Sequence, residues 1–368
     1  MLDEVHRLSL EVCLDEPLQR DRVGVTQYSV APGSGRFDRV IAKEKKEKNV
    51  QYESYKKLLK SLAVLAFGCF AGAASAQDTK VTINTGNPDG KLGALSVPAS
   101  LDHQETETAD DFNLRQLTVI SSASIIGVIP AGTPLSNIKS VEVEFYHVFP
   151  VDSNPNLSGN VPSRANSPSD HEIGTATRDS SKGTLAFNVS PLDSSFTVGQ
   201  TVINGIHKLT PGGTTITHGE GAETGEEVRI DITFTTPVIL PADNYFFRPE
   251  VEVTDSHFLF VSAPRPIVAP GILIPGDRQA WIRNHDLTPD WLRIGTDIIA
   301  GNPPTFNMTF SLTGNAILAP GTPGHPNCDG QTISGLAQQF GGIDAAASTL
   351  GFSSVDSLHQ TFGVFCAP

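Results

Sequence analysis

An alternation of period two constrains this chain more than any other feature. Val141, Val143 and Phe145 alternate with Glu142, Glu144 and Tyr146. Val228, Ile230, Ile232 and Phe234 alternate with Arg229, Asp231 and Thr233, and Phe306, Met308, Phe310 and Leu312 with Asn307, Thr309 and Ser311. Successive side chains of a strand point to opposite faces, so each run predicts a half-buried strand with an apolar and a polar face. Weaker alternation predicts further strands at 80–85, 115–121, 123–129, 184–189, 245–253, 257–262 and 279–284. Pro130-Ala-Gly132, Pro211-Gly-Gly213, Pro241-Ala-Asp243 and Pro264-Arg-Pro266 separate them as turns. Many short strands with turn signals between them predict a mainly β fold, an antiparallel β-sandwich of jelly-roll-like build, over residues 77–316. The polar segments 152–171 and 208–227 read as long surface loops.

The period changes after residues 317–327, a Pro/Gly linker. Ile333, Leu336, Ala337 and Phe340 fall at helical spacing, as do Ile343, Ala346, Ala347 and Leu350, and Gly341-Gly342 and Gly351 end the two turns. Ser353 with Asp356 resembles a capping box for a third helix carrying Val355, Leu358, Phe362 and Phe365. Three helices so short cannot hold a core alone. Cys328 and Cys366 bracket them and predict a disulfide staple, making 328–368 a small helical domain.

At the other end, Lys56, Lys57 and Lys60 precede the apolar run from Ser61 to Ala74, and Ala74-Ser75-Ala76 supplies small residues for cleavage. This is the pattern of a signal peptide over 56–76, and it predicts a secreted or periplasmic protein cleaved near Ala76. The apolar run is about 14 residues, short of the ~20 that span a bilayer, so no membrane span is expected in the mature chain. Residues 1–55 read as an upstream extension, explained most simply by a start site called too early, with Val50 as the candidate start. A cytoplasmic segment before an anchor is the rival reading.

Charge narrows the function classes. The chain carries 26 Lys+Arg against 40 Asp+Glu, a net of −14, and residues 1–76 hold more bases than acids, so the remainder is more acidic still. Nucleic-acid binding by phosphate neutralisation is excluded as a principal role. The 33 Gly and 26 Pro fall at turns and linkers rather than at every third position, which excludes a collagen-like rod.

Catalytic signatures are mostly missing: there is no Gly-x-Ser-x-Gly elbow, phosphate-binding loop or dinucleotide glycine pattern. His171-Glu172 opens like a zinc-protease motif, but Thr175 stands where the second histidine would be. A glycosidase needs two acids close in space, and with so many acids spacing alone nominates no pair.

Three clusters remain. Asp102, Glu105, Glu107, Asp110 and Asp111 crowd five carboxylates into ten residues. Such density calls for solvation or a hard cation, and Ca2+ is the cofactor it would take; the alternative is an acidic loop leading into a strand. Glu220, Glu223, Glu226 and Glu227 form a looser set, and Asp152-x-Asn154-x-Asn156-x-Ser158 opens like a calcium loop without its glycine or terminal acid. The second cluster holds both tryptophans: Trp281, Arg283, Asn284, His285, Asp286, Asp290, Trp291 and Arg293. Aromatic faces beside forked hydrogen-bonding groups suit sugar recognition. The alternative is that the tryptophans fill the core while the charges pair with each other. Third, Asp329 to Gly341 resembles the opening of a LysM peptidoglycan-binding module, although Pro323-Gly-His-Pro326 replaces the strand that should precede it.

Ala109-Asp-Asp-Phe112, Val141-Glu-Val-Glu-Phe-Tyr146, Leu240-Pro-Ala-Asp-Asn-Tyr-Phe-Phe247, Ser262-Ala-Pro-Arg-Pro-Ile267 and the Trp281–Trp291 stretch resemble a group of uncharacterised secreted bacterial β-sandwich proteins. The resemblance implies fold and export and brings no established activity. The expectation is therefore an exported, non-enzymatic binding or surface-associated module, with a polysaccharide or cell-envelope component as partner. A secreted carboxylate-dependent polysaccharide hydrolase is the alternative from another class, and a purely structural envelope or matrix protein is the third.

Overall fold

A computed structural model describes residues 79–100, 104–149, 166–172, 179–180, 183–203, 217–274, 276–284, 291–300 and 305–367. The expected extension and signal peptide lie outside the described residues, as do Asp102, the Asp152–Ser158 loop, His285, Asp286 and Asp290.

The chain is mainly β, with two sheets followed by C-terminal helices. The first sheet is built from β1 (Lys80–Asn84), β2 (Leu92–Leu95), β4 (Thr118–Pro130), β8 (Leu185–Val198), β9 (Gln200–Val202), β10 (Glu223–Leu240), β12 (Leu259–Ala263), β15 (Asn307–Met308) and β16 (Phe310–Ala316). The second holds β3 (Thr106–Asn113), β5 (Ile138–Val148), β6 (Pro168–Glu172), β7 (Asp179–Ser180), β11 (Asn244–Val253), β13 (Trp281–Asn284) and β14 (Leu292–Arg293). Its order is β14-β13-β3-β11-β5-β6, with β7 also on β5. Among the described residues all pairings are antiparallel except β2 with β9.

The alternating run Val228–Phe234 falls within the longest strand, β10. β10 lies between β4 and β8, and Ile230 faces Ile125 on one side and Val189 on the other. The candidates 115–121 and 123–129 merge into β4, and the third alternating run breaks into β15 and β16 around Thr309. Gly127 of β4 has no room for a side chain: a Cβ there would sit 2.2 Å from the Phe258 ring.

One apolar core joins the two inner faces. Ile125, Ile230, Ile232, Phe234, Phe310 and Leu312 of the first sheet meet Phe112, Val141, Val143, Phe145 and Phe247 of the second. Phe247 packs on Phe310 with ring centroids 5.1 Å apart, and Phe145 on Phe234 at 6.2 Å. These tilted ring contacts couple the sheets through large apolar side chains.

Helices α1 (Cys328–Phe340), α2 (Ile343–Leu350) and α3 (Val355–Cys366) follow the expected spacing, and Gly341 and Gly351 end the first two with left-handed backbones. Two expectations change. The cap of α3 is Ser354, which accepts from the Ser357 N–H at 3.0 Å, so the box predicted from Ser353 and Asp356 sits one residue too early. Residues 317–327 carry no strand, so the tail is three helices and lacks the strand that a LysM module places before its motif. Cys328 and Cys366 are bonded, with Cα atoms 5.6 Å apart. Leu336, Ala346, Ala347, Leu350, Leu358 and Phe362 bury their apolar faces against Leu117, Val119 and Ile317, so tail and sheet share one cluster.

The acidic segment departs furthest from a loop. Residues 106–113 form β3, hydrogen-bonded between β13 and β11 in the middle of the second sheet. The polar segment 208–227 likewise gives its last residues to β10.

Candidate functional site

The outer face of the second sheet gathers most of the residues singled out above. Strand pleating puts Glu107 of β3, Glu144 and Tyr146 of β5, Arg248 and Glu250 of β11, and Trp281 and Arg283 of β13 on the face opposite the core. Register then sets the pairs, since Arg248 lies directly across from Glu144 and Arg283 across from Glu107.

Arg248 is fully buried, at 0% exposure, among four carboxylates. Its Nη2 donates to Glu144 and lies 3.8 Å from Glu105 Oε1. Nη1 is 2.6 Å from Glu250 Oε2 and Nε 3.3 Å from Glu107 Oε2. Neither of these contacts is aligned as a hydrogen bond, so they are Coulombic. Burial pushes the Glu250 carboxyl well above its usual range, and the Arg248 charge opposes this without cancelling it. For Glu107 burial also acts upward, but the Arg248 and Arg283 charges together prevail and hold it below its usual value.

Arg283 Nε donates to Glu107 Oε1 at 2.8 Å, and Nη2 donates to the Tyr146 hydroxyl at 3.2 Å. Its guanidinium lies 4.5 Å from the ring centre of Trp291, which meets Tyr146 edge to face at 5.7 Å. Arg293 is held by Asp297, with Nε to Oδ2 at 2.9 Å and Nη2 to Oδ1 at 2.7 Å, on a π-helical turn over Ile294–Ile299. It sits 6.0 Å from the Trp281 ring centre. Trp281 and Trp291 are buried, and Asn284 is half-buried at the end of β13. The two tryptophans therefore pack inside an ion-pair network rather than presenting a platform.

The acidic segment is divided along the length of β3. Glu105 and Glu107 join the Arg248 network, whereas Asp110 and Asp111 lie further along β3. Asp110 Oδ2 accepts from the Met308 N–H and Asp111 Oδ1 from the Arg278 N–H, each at 2.7 Å. Asp277 stands nearby with Arg265, 3.7 Å from its Nε to Asp277 Oδ2. Burial pushes the Asp111 carboxyl up to about 7, helped by the Asp277 charge and opposed by the Arg278 N–H. Asp110 is pushed well above its usual range by burial and by the Asp111 charge. Among the described residues no group of three or more His, Cys, Asp or Glu is arranged to hold a metal ion. The four described acids of the calcium candidate thus divide between two neighbourhoods, each with cationic or backbone N–H partners. The looser acidic set does not converge either: Glu220 accepts from the Ile203 N–H at 2.9 Å, and Glu223 pairs with His257 at 2.8 Å.

Spacing alone does not single out Arg248 and Glu250. They stand on the polar side of a strand, where charge normally means solvent. The one available signal was the run Phe246-Phe247-Arg248-Pro249-Glu250, in which aromatic residues occupy both faces.

Two surface cavities lie elsewhere. One, of about 620 Å³, runs along α1 between Asn327, Gln331, Ser334 and Gln338 on one side and Ala319 and Pro320 on the other. The second, of about 190 Å³, opens on the outer face of the first sheet, lined by Asn84, Asn87, Ser124, Arg229, Thr309 and Ser311 among others. Among the described residues no helix is long and apolar enough to cross a membrane. No family model matches this chain, and no curated protein or solved structure matches it either.

Proposed function

We propose that this is an exported, non-enzymatic binding module with the architecture of a jelly-roll-like β-sandwich, retained on a polysaccharide or cell-envelope component. The observation that carries this reading is the internal use of the charged residues. Arg248 and Arg283 are spent on Glu107 and Glu144. A hydrolase needs an acid and a base or nucleophile facing a substrate cleft, and neither described cavity is lined by an acidic residue. Two facing sheets around one core support the sandwich. The lysine-flanked apolar run before Ala76 supports export.

Calcium does not enter this reading: Glu107 is held by Arg283, and one oxygen each of Asp110 and Asp111 accepts from a backbone N–H. The test is co-sedimentation of the purified protein with insoluble cellulose, chitin and peptidoglycan sacculi. Retention on at least one polymer, competed by its soluble fragments, is expected. Recovery of all the protein in every supernatant overturns the binding reading and leaves the purely structural one.

A further inference from the structure

The cavity on the outer face of the first sheet is built by register. Asn84 of β1 lies across from Ser311 of β16, Ser311 across from Ser124 of β4, and Ser124 across from Asp231 of β10. One step along, Ile126 of β4 lies across from Arg229 of β10, and its N–H donates to the Thr309 carbonyl at 3.3 Å. Directly opposed residues of antiparallel strands share a face, so four strands contribute two adjacent rows to one polar patch. The cavity sits over these rows, with Gly86 and Asn87 closing one side.

Its chemistry is mixed and close to neutral. Arg229 is turned onto Asp231, with Nε to Oδ1 at 2.8 Å and Nη2 to the same oxygen at 2.7 Å, so the local charges cancel. The Ser124 and Ser311 hydroxyls share a single hydrogen bond at 2.7 Å and keep capacity for a second partner. Asn84 Oδ1 accepts from the Gly86 N–H at 2.8 Å, which leaves its amide nitrogen. Ile126 supplies an apolar surface among these groups.

Thr309 adds an independent sign. It lines the cavity at 2% exposure, and its Oγ1 is buried with no hydrogen-bond partner. A buried hydroxyl left unpaired is unfavourable, and each such group in a folded chain calls for an explanation. A ligand hydroxyl supplies the missing partner only where the groups covering Oγ1 give way to admit it.

We infer that this cavity is a binding site for a single sugar ring or a polyol of similar size. A volume of about 190 Å³ lies below the ~300–1,000 Å³ of sites for drug-sized ligands, which suits one ring. Donors and acceptors both line it, as hydroxyl groups require, and the neutralised Arg229–Asp231 pair gives an anion little net attraction. The inference rests on the glycan-binding reading above and moves its site from the Trp281–Arg293 stretch to the opposite sheet.

Titration of the protein with glucose, galactose, mannose and N-acetylglucosamine, followed by calorimetry and by saturation-transfer NMR, tests it. At least one of the four should bind, and Thr309→Val should weaken that sugar about tenfold without lowering Tm. Ser311→Ala provides a second variant on the exposed side of the site, with the same expected direction. Equal affinity in both variants overturns the site, and so does binding of acetate or phosphate in place of every sugar. Retention on a polymer with none of the four sugars bound overturns this site while leaving the broader reading intact. Loss of both polymer retention and sugar binding overturns the two together.

Discussion

Replacing Arg248 with methionine removes the cation around which Glu107, Glu144 and Glu250 are packed, while keeping much of the side-chain volume. Removing one partner of a buried pair typically costs about 3–5 kcal/mol, because the other charge stays in a poorly solvating site. That figure is not multiplied by the number of carboxylates here. Glu250 is already pushed toward its neutral form by burial, and Glu107 keeps Arg283 at 2.8 Å. The charge left without its cation is chiefly that of Glu144, which keeps the Tyr146 hydroxyl as a donor, so the loss at pH 7 should be about 3–5 kcal/mol in all. At about 2–4 °C per kcal/mol for a domain of this size, Tm should fall by roughly 10 °C. Urea unfolding at pH 7, with linear extrapolation, measures it. Glu144→Gln placed in the same background should recover more than half of the loss, a coupling that a double-mutant cycle isolates. An Arg248→Met variant as stable as the parent at pH 7, or one that Glu144→Gln fails to rescue, would refute the reasoning.

Asp111 gives a prediction with a definite sign. Its carboxyl titrates near 7 when folded, against an ordinary value of 3.8, so the folded state holds the proton more tightly. The stability this confers is complete below about pH 4 and is lost as pH rises through 7, a decline of about 4 kcal/mol. Asp111→Asn should flatten that part of a Tm-against-pH profile, and a profile unchanged by the substitution counts against the buried assignment. Trp291→Ala, at a fully buried ring, should cost about 3–5 kcal/mol by cavity formation, read by urea unfolding; a cost under 1 kcal/mol would restore Trp291 as an exposed platform. Cys328→Ser opens a loop of 38 residues' separation and should cost about 4 kcal/mol in the chain-entropy model. Faster proteolysis confined to 328–367 would locate that loss in the helices, whereas unchanged protection would show that Leu117, Val119 and Ile317 hold them without the bridge.

Strands, helices and the disulfide were legible in the sequence because each leaves a periodic or paired signal. Val228 to Phe234 could be placed on a strand by alternation alone, and Leu336 to Phe362 on helices by spacing and glycine stops. Spacing does not reveal whether the polar face of a strand meets water. On β5 and β11 it does not: Glu144, Arg248 and Glu250 are buried and answer one another across strands. A run of carboxylates reads as a loop for the same reason, and β3 became visible only when Glu107 met Arg283 and Asp110 met the Met308 N–H. The neighbours that make those acids tolerable are 198 and 176 residues away in sequence. The sugar-sized cavity was equally hidden, since Asn84, Ser124, Arg229 and Ser311 come together only through the register of four strands.

The division between binding and catalysis is tested most directly by product analysis on whichever polymer retains the protein. Prolonged incubation of the bound protein should release no soluble reducing ends above a heat-denatured control. Sustained release that Glu107→Gln or Asp111→Asn abolishes, with retention intact, would contradict the account and make those buried acids catalytic.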